Sequence, residues 1–152
     1  MKPPSSRSLQ RGVAAVELAL TLPVIMLLLA YIVFYGRVLY NYEVAQKAAR
    51  DAVRYLSSAA AVNMRSAAQA GNEVAVAQAI ATAELAGLNP GAGNGPFVFV
   101  QCDGLPCMGL ALPSLVRVDV QIVVRNDIFG YYVPYLGDSL LQARSTMRYV
   151  GN

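Results

Sequence analysis

Residues 12–36 read GVAAVELALTLPVIMLLLAYIVFYG, and this stretch decides the fold. Between Val13 and Gly36 the only side chain charged at neutral pH is that of Glu17. As a helix, about 24 residues at roughly 1.5 Å each reach about 36 Å, enough to cross the hydrocarbon of a bilayer. A core helix of that length in a water-soluble domain would show a polar face, and this one has none. The stretch is therefore expected to be a transmembrane helix over residues 13–36, with the lipid bilayer as its first partner.

Upstream lies MKPPSSRSLQRG, residues 1–12, which is polar, rich in Pro and Ser, and expected to be unstructured. It holds three of the twelve Lys and Arg residues (Lys2, Arg7 and Arg11) and no acid. Beyond Gly12 the nine remaining cations face nine Asp and Glu, so the pI of about 9.0 belongs to this basic leader. No basic stripe interleaved with aromatics is left for a phosphate backbone, and nucleic acid is not an expected partner. The apolar run is longer than the core of a secretory signal, and no A-x-A-like site closes it. A signal anchor or a differently processed leader fits better. Arg37, Lys47, Arg50 and Arg54 follow the span, so charge counting alone does not fix the topology.

Downstream, the helical pattern does not stop at Arg37. Val38, Tyr42, Ala45, Ala49, Ala52, Leu56 and Ala59 recur at steps of four and three, which predicts an amphipathic extension over 37–60 with small residues along its stripe. Asn41, Glu43, Lys47, Arg50, Asp51 and Arg54 fall largely outside that stripe, and Glu43 and Lys47 are spaced for an i,i+4 ion pair. Residues 61–152 then form the aqueous domain. Asn72 is spaced to cap an Ala-rich helix starting at Glu73, with Gly87 as its stop. Leu88 to Pro96 (LNPGAGNGP) is a loop, and lacks the Gly-Lys-Ser/Thr of a phosphate cradle. After Pro96 the period changes to that of strands: Phe97–Cys102, Leu115–Arg125 and Leu141–Val150. In the second, Val116, Val118, Val120, Ile122 and Val124 share one face. A small antiparallel sheet with one apolar face needs a cover, and the small-residue stripe of the long helix can supply it. The expected class is α+β.

No histidine is present, which removes the commonest general base and metal ligand. No serine stands in an arrangement that would activate it, and Asp119 and Asp127 read as solvated strand and turn residues. Catalytic, metal and cofactor sites are accordingly expected to be none. Cys102 and Cys107 enclose Asp103-Gly104-Leu105-Pro106, a turn-forming spacer. In an oxidising compartment they would close a small disulfide loop, worth about 2 kcal/mol on the chain-entropy model. In a reducing one they would be two separate core thiols. Glu17 also carries two readings: a carboxylate that reaches water at the headgroups, or one that awaits a positive partner within the membrane. Pro23 removes the hydrogen bond to residue 19, either harmlessly or as a local weakness.

Arg11-Gly12-Val13-Ala14-Ala15-Val16-Glu17-Leu18 resembles the processing site of type IV pilin precursors. In that class a prepilin peptidase cuts after the glycine, and the glutamate is the fifth mature residue. Glu17 would hold that place after a cut between Gly12 and Val13. Leu18 departs from the commoner pattern, in which an aromatic follows the glutamate. The full run GVAAVELALTLPVIMLLL, Tyr35-Gly36-Arg37, the Ala-rich Ala45 to Arg54 and the closing Ser145-Thr146-Met147-Arg148 look like the TadE-like minor pseudopilins of tight-adherence (Flp-type) pili. The resemblance implies a pilin-like fold, a long N-terminal helix packed on a small antiparallel sheet. It implies no enzyme activity, and three kinds of protein partner: the prepilin peptidase, other pilin and pseudopilin subunits, and the inner-membrane pilus assembly platform. It places the anchor in the bacterial inner membrane and the C-terminal domain in the periplasm, which agrees with a disulfide, and leaves open incorporation into an extracellular pilus. A second class is an uncleaved, membrane-anchored periplasmic binding or sensor module, which would keep residues 1–12 and have no need of Glu17.

Overall fold

The computed structural model describes residues 7–88, 95–128, 131–132 and 137–151. The first half of the leader and most of the Leu88–Pro96 loop lie outside them. The chain divides into two compact units, residues 1–36 and 37–152.

Helix α1 runs from Arg7 to Ser57, continuous through Pro23. It begins earlier than the expected start near Gly12, because Arg7 to Arg11 contains no proline or glycine and mostly good helix formers. It also stops short of Ala60. The Ser57 hydroxyl donates to the Arg54 carbonyl at 2.8 Å and the Ser58 hydroxyl to the Tyr55 carbonyl at 3.0 Å. These bonds occupy last-turn carbonyls that a continuing helix would use. In the first unit the apolar side chains from Val13 to Val33 stand exposed all round the helix, and only 6% of its most apolar window is buried. A soluble core helix is mostly covered by its own chain; this one is uncovered and long enough to cross a membrane.

In the second unit, α2 (Ala61–Met64) and α3 (Ala67–Leu85) precede β1 (Phe97–Cys102), β2 (Leu115–Val124), β3 (Asp127–Ile128), β4 (Tyr131–Tyr132) and β5 (Ser139–Arg148). Strands β1, β2 and β5 form an antiparallel sheet with β2 in the middle, and β3 and β4 pair as a separate two-stranded ribbon. The fold is α+β. Helix α3 corrects the sequence expectation: Gly71 and Asn72 lie inside it, not at its start. Ala67, Ala68 and Ala70 sustain the extra turn, Ala70 is fully buried, and its amide bonds the Ser66 carbonyl at 2.8 Å. Packing here outweighs the propensity of glycine and asparagine to interrupt a helix.

The core is one cluster. Ala45, Ala48, Ala49, Ala52, Val53 and Leu56 of α1 bury with Ala77, Ala81 and Leu85 of α3 and with Val116, Val118, Val120, Ile122 and Val124 of β2. Alternation along β2 sends all five of these side chains to one face, and each large aliphatic side chain fully buried there stabilises the unit by roughly 1.5–3 kcal/mol. Two positions on α1 depart from the expected stripe: Tyr42 is exposed, and Asn41 is buried. Lys47 does not pair with Glu43. Its ammonium instead meets Glu84 of α3 at 2.7 Å, because packing of the core brings that carboxylate within reach. Glu73 of α3 accepts from the Tyr55 hydroxyl and from Nδ2 of Asn63, each at 2.6 Å, tying the three helices together. That bond to Glu73 is the main reason the Tyr55 phenol is held above its ordinary pKa, with burial adding to it.

Candidate functional site

The Gly12–Val13 junction lies within α1, one turn before Glu17. Val13, Val16, Glu17 and Leu20 follow the i, i+3, i+4, i+7 spacing and line one strip of the helix surface. All four are exposed, and Glu17 makes no hydrogen bond or ion pair among the described residues. This is a lone acceptor on an otherwise apolar surface. Such a carboxylate is unfavourable in lipid unless it reaches water or meets a positive group supplied from outside the chain.

Cys102 and Cys107 are joined, with Sγ–Sγ 2.00 Å and Cα–Cα 4.9 Å. Between them Asp103 and Gly104 both take positive φ (51° and 84°), and Cys102 and Leu105 exchange backbone hydrogen bonds of 2.7 and 3.0 Å. That is the turn for which Asp-Gly is favoured, since Asp tolerates the left-handed region and Gly enters it freely. The Asp103 carboxylate then reaches across to the start of β2. It accepts from the Ser114 hydroxyl at 2.7 Å, from the Ser114 amide at 2.9 Å and from the Leu115 amide at 2.8 Å. These bonds, the one from the Ser114 hydroxyl foremost, hold its carboxyl below the usual carboxylate range. A depressed folded pKa means the clamp contributes fully above the ordinary Asp value and is lost only as pH falls through the lower, folded one.

Gly109 fixes the rest of the loop. Its φ is +68°, and a Cβ there would sit 2.5 Å from the Ser66 carbonyl carbon and 2.6 Å from the Ala67 nitrogen. Both the backbone conformation and the contact demand glycine. Gly109→Ala should therefore lower the unfolding free energy by about 2 kcal/mol or more, read as a lower denaturant midpoint at unchanged m. An unchanged midpoint would show that the loop does not pack against the start of α3.

The sequence did not foretell the third polar feature. Asp119, expected to be solvated, is 94% covered (6% exposed) and receives Nε of Arg144 at 2.6 Å. The β1–β2–β5 register explains it: Phe99, Asp119 and Arg144 lie in one row, so Asp119 is flanked on both sides by large side chains. The side chain of Asp127 lies outside the described residues. Among the described residues no cluster of His, Cys, Asp or Glu could hold a metal ion.

No curated protein matches the chain, and no solved structure matches it. The N-terminal segment does match a family. Residues 12–54, which hold the Gly12–Val13 junction, the strip bearing Glu17 and the buried alanines of α1, match the family model described as TadE-like protein.

Proposed function

We propose that this chain is a minor pilin or pseudopilin that takes part in assembling a tight-adherence (Flp-type, type IV) pilus, a structural role and not an enzymatic one. The observation that carries the proposal is the TadE-like match over residues 12–54, whose uncovered apolar stretch, 13–33, bears a single carboxylate, that of Glu17. The precursor sits in the inner membrane with residues 1–12 inside and the sheet domain in the periplasm. A prepilin peptidase cuts between Gly12 and Val13 and frees an amine. Glu17 of one subunit then pairs with the amine of a neighbouring pilin-type subunit, while the apolar helices bundle away from water. In that low-dielectric bundle desolvation offsets much of the attraction, so the pair sets axial register more than it adds net stability.

Deleting the coding region in its native host should abolish or sharply reduce surface pili, counted by electron microscopy, and the wild-type chain supplied in trans should restore them. Normal piliation in the deletion strain would contradict the proposal and favour the uncleaved binding or sensor module.

A further inference from the structure

The face of the sheet turned away from the core is a grid of side chains with planar or hydrogen-bonding heads. Strand register sets three adjacent rows: Gln101, Arg117 and Thr146; Phe99, Asp119 and Arg144; Phe97, Gln121 and Gln142. Most of these side chains border a shallow cleft of about 290 Å³ centred on Asp119. Phe97 and Phe99 are 47% and 48% exposed on this face.

Asp119 carries a charge that is 94% covered (6% exposed), yet only its Oδ1 is used, by Nε of Arg144. Its second oxygen has no partner among the described residues, and neither do the terminal nitrogens of Arg144, whose side chain is 53% exposed. The free oxygen is not sealed from solvent and the Arg144 head is half exposed, so an open acceptor and open guanidinium donors stand side by side where one ligand can engage both. Arg117 is held beside them by Gln101 at 3.3 Å. With Arg148 also on this face, three guanidinium groups stand against one carboxylate, and the face is cationic.

We infer that this face binds an acidic polysaccharide, through the hydroxyl and carboxylate groups of its uronic-acid units. The free oxygen of the central carboxylate can accept from a hydroxyl, which a sugar offers and a phosphodiester linkage lacks. The surplus guanidinium charge matches a sugar carboxylate, with Arg suited to two-pronged recognition. The exposed phenylalanines supply an apolar platform for the carbon face of a pyranose ring. The cleft lies near the lower end of ligand-site sizes, which fits one or two sugar units. None of this depends on the pilus assignment, since every residue lies in the 37–152 unit.

The test uses the full chain in detergent and oligogalacturonate as the probe, with dextran and single-stranded DNA as comparison ligands, by isothermal titration calorimetry. Saturable binding of oligogalacturonate is expected, with dextran and DNA at least about tenfold weaker at matched ionic strength. Arg144→Gln and Arg117→Gln should each weaken binding about tenfold or more. Phe99→Ala, a solvent-facing change, should weaken it while leaving the thermal unfolding midpoint within a few degrees of wild type. Absence of oligogalacturonate binding to the folded wild type would overturn the inference. Equal binding of DNA would overturn it in favour of a general cationic surface, and equal binding of dextran would remove the role of the guanidinium groups.

Discussion

A Glu17→Ala chain is expected to enter the membrane and lose its leader, yet leave cells bald of pili. The carboxylate is unfavourable in lipid, by up to about 2.5–3.5 kcal/mol for comparable charges at the helix centre and less near an end. Removing it makes the span more apolar, so insertion should not suffer. Among the described residues Glu17 makes no hydrogen bond or ion pair, and Val13, Val16, Glu17 and Leu20 form an exposed strip. Glu17 belongs to the unit of residues 1–36, so the stability of the 37–152 unit should not change. On the proposed pairing, what disappears is the acceptor for a neighbour's amine. At protein levels matched to wild type, the variant should accumulate as processed membrane protein, and should neither support piliation nor co-purify with the other pilus subunits. Glu17→Asp should be milder, limited by its shorter reach. Normal pili with Glu17→Ala would return Glu17 to the role of an interfacial carboxylate.

Glu17 was legible from sequence because its surroundings are so uniform: one charge in an apolar run is visible without any knowledge of the fold. The sheet was legible for a similar reason, as the five alternating aliphatics of β2 could face only one core. The features missed all depend on partners distant in the chain. Asp103 reads as a turn residue until Ser114 and Leu115 are brought beside it, and Gly109 reads as a loop glycine until Ser66 and Ala67 close on it. Asp119 looks solvated because strand alternation reports the side of the sheet, not how tightly Phe99 and Arg144 cover a neighbour. The start of α3 was misplaced because Gly71 and Asn72 are strong local punctuation, whereas the buried Ala70 that overrides them is a tertiary fact.

Gly12→Leu is expected to abolish leader removal while leaving membrane insertion unchanged. On the proposed cleavage after Gly12, glycine would let the peptide backbone approach the peptidase closely, and a branched side chain there would obstruct it. The apolar span is unaltered, so the uncut chain should remain membrane-bound. With its amine still at the end of a cationic leader and not at Val13, it should be as defective in assembly as the Glu17→Ala chain. The two variants would differ in length: one processed, the other intact.

Whether residues 1–12 are removed is the question on which the account turns, and the intact mass of the membrane-extracted wild-type chain answers it. Coexpressed with its cognate prepilin peptidase, the protein should have lost residues 1–12 and begin at Val13. An N-terminus still at Met1 under those conditions would contradict the pilin reading.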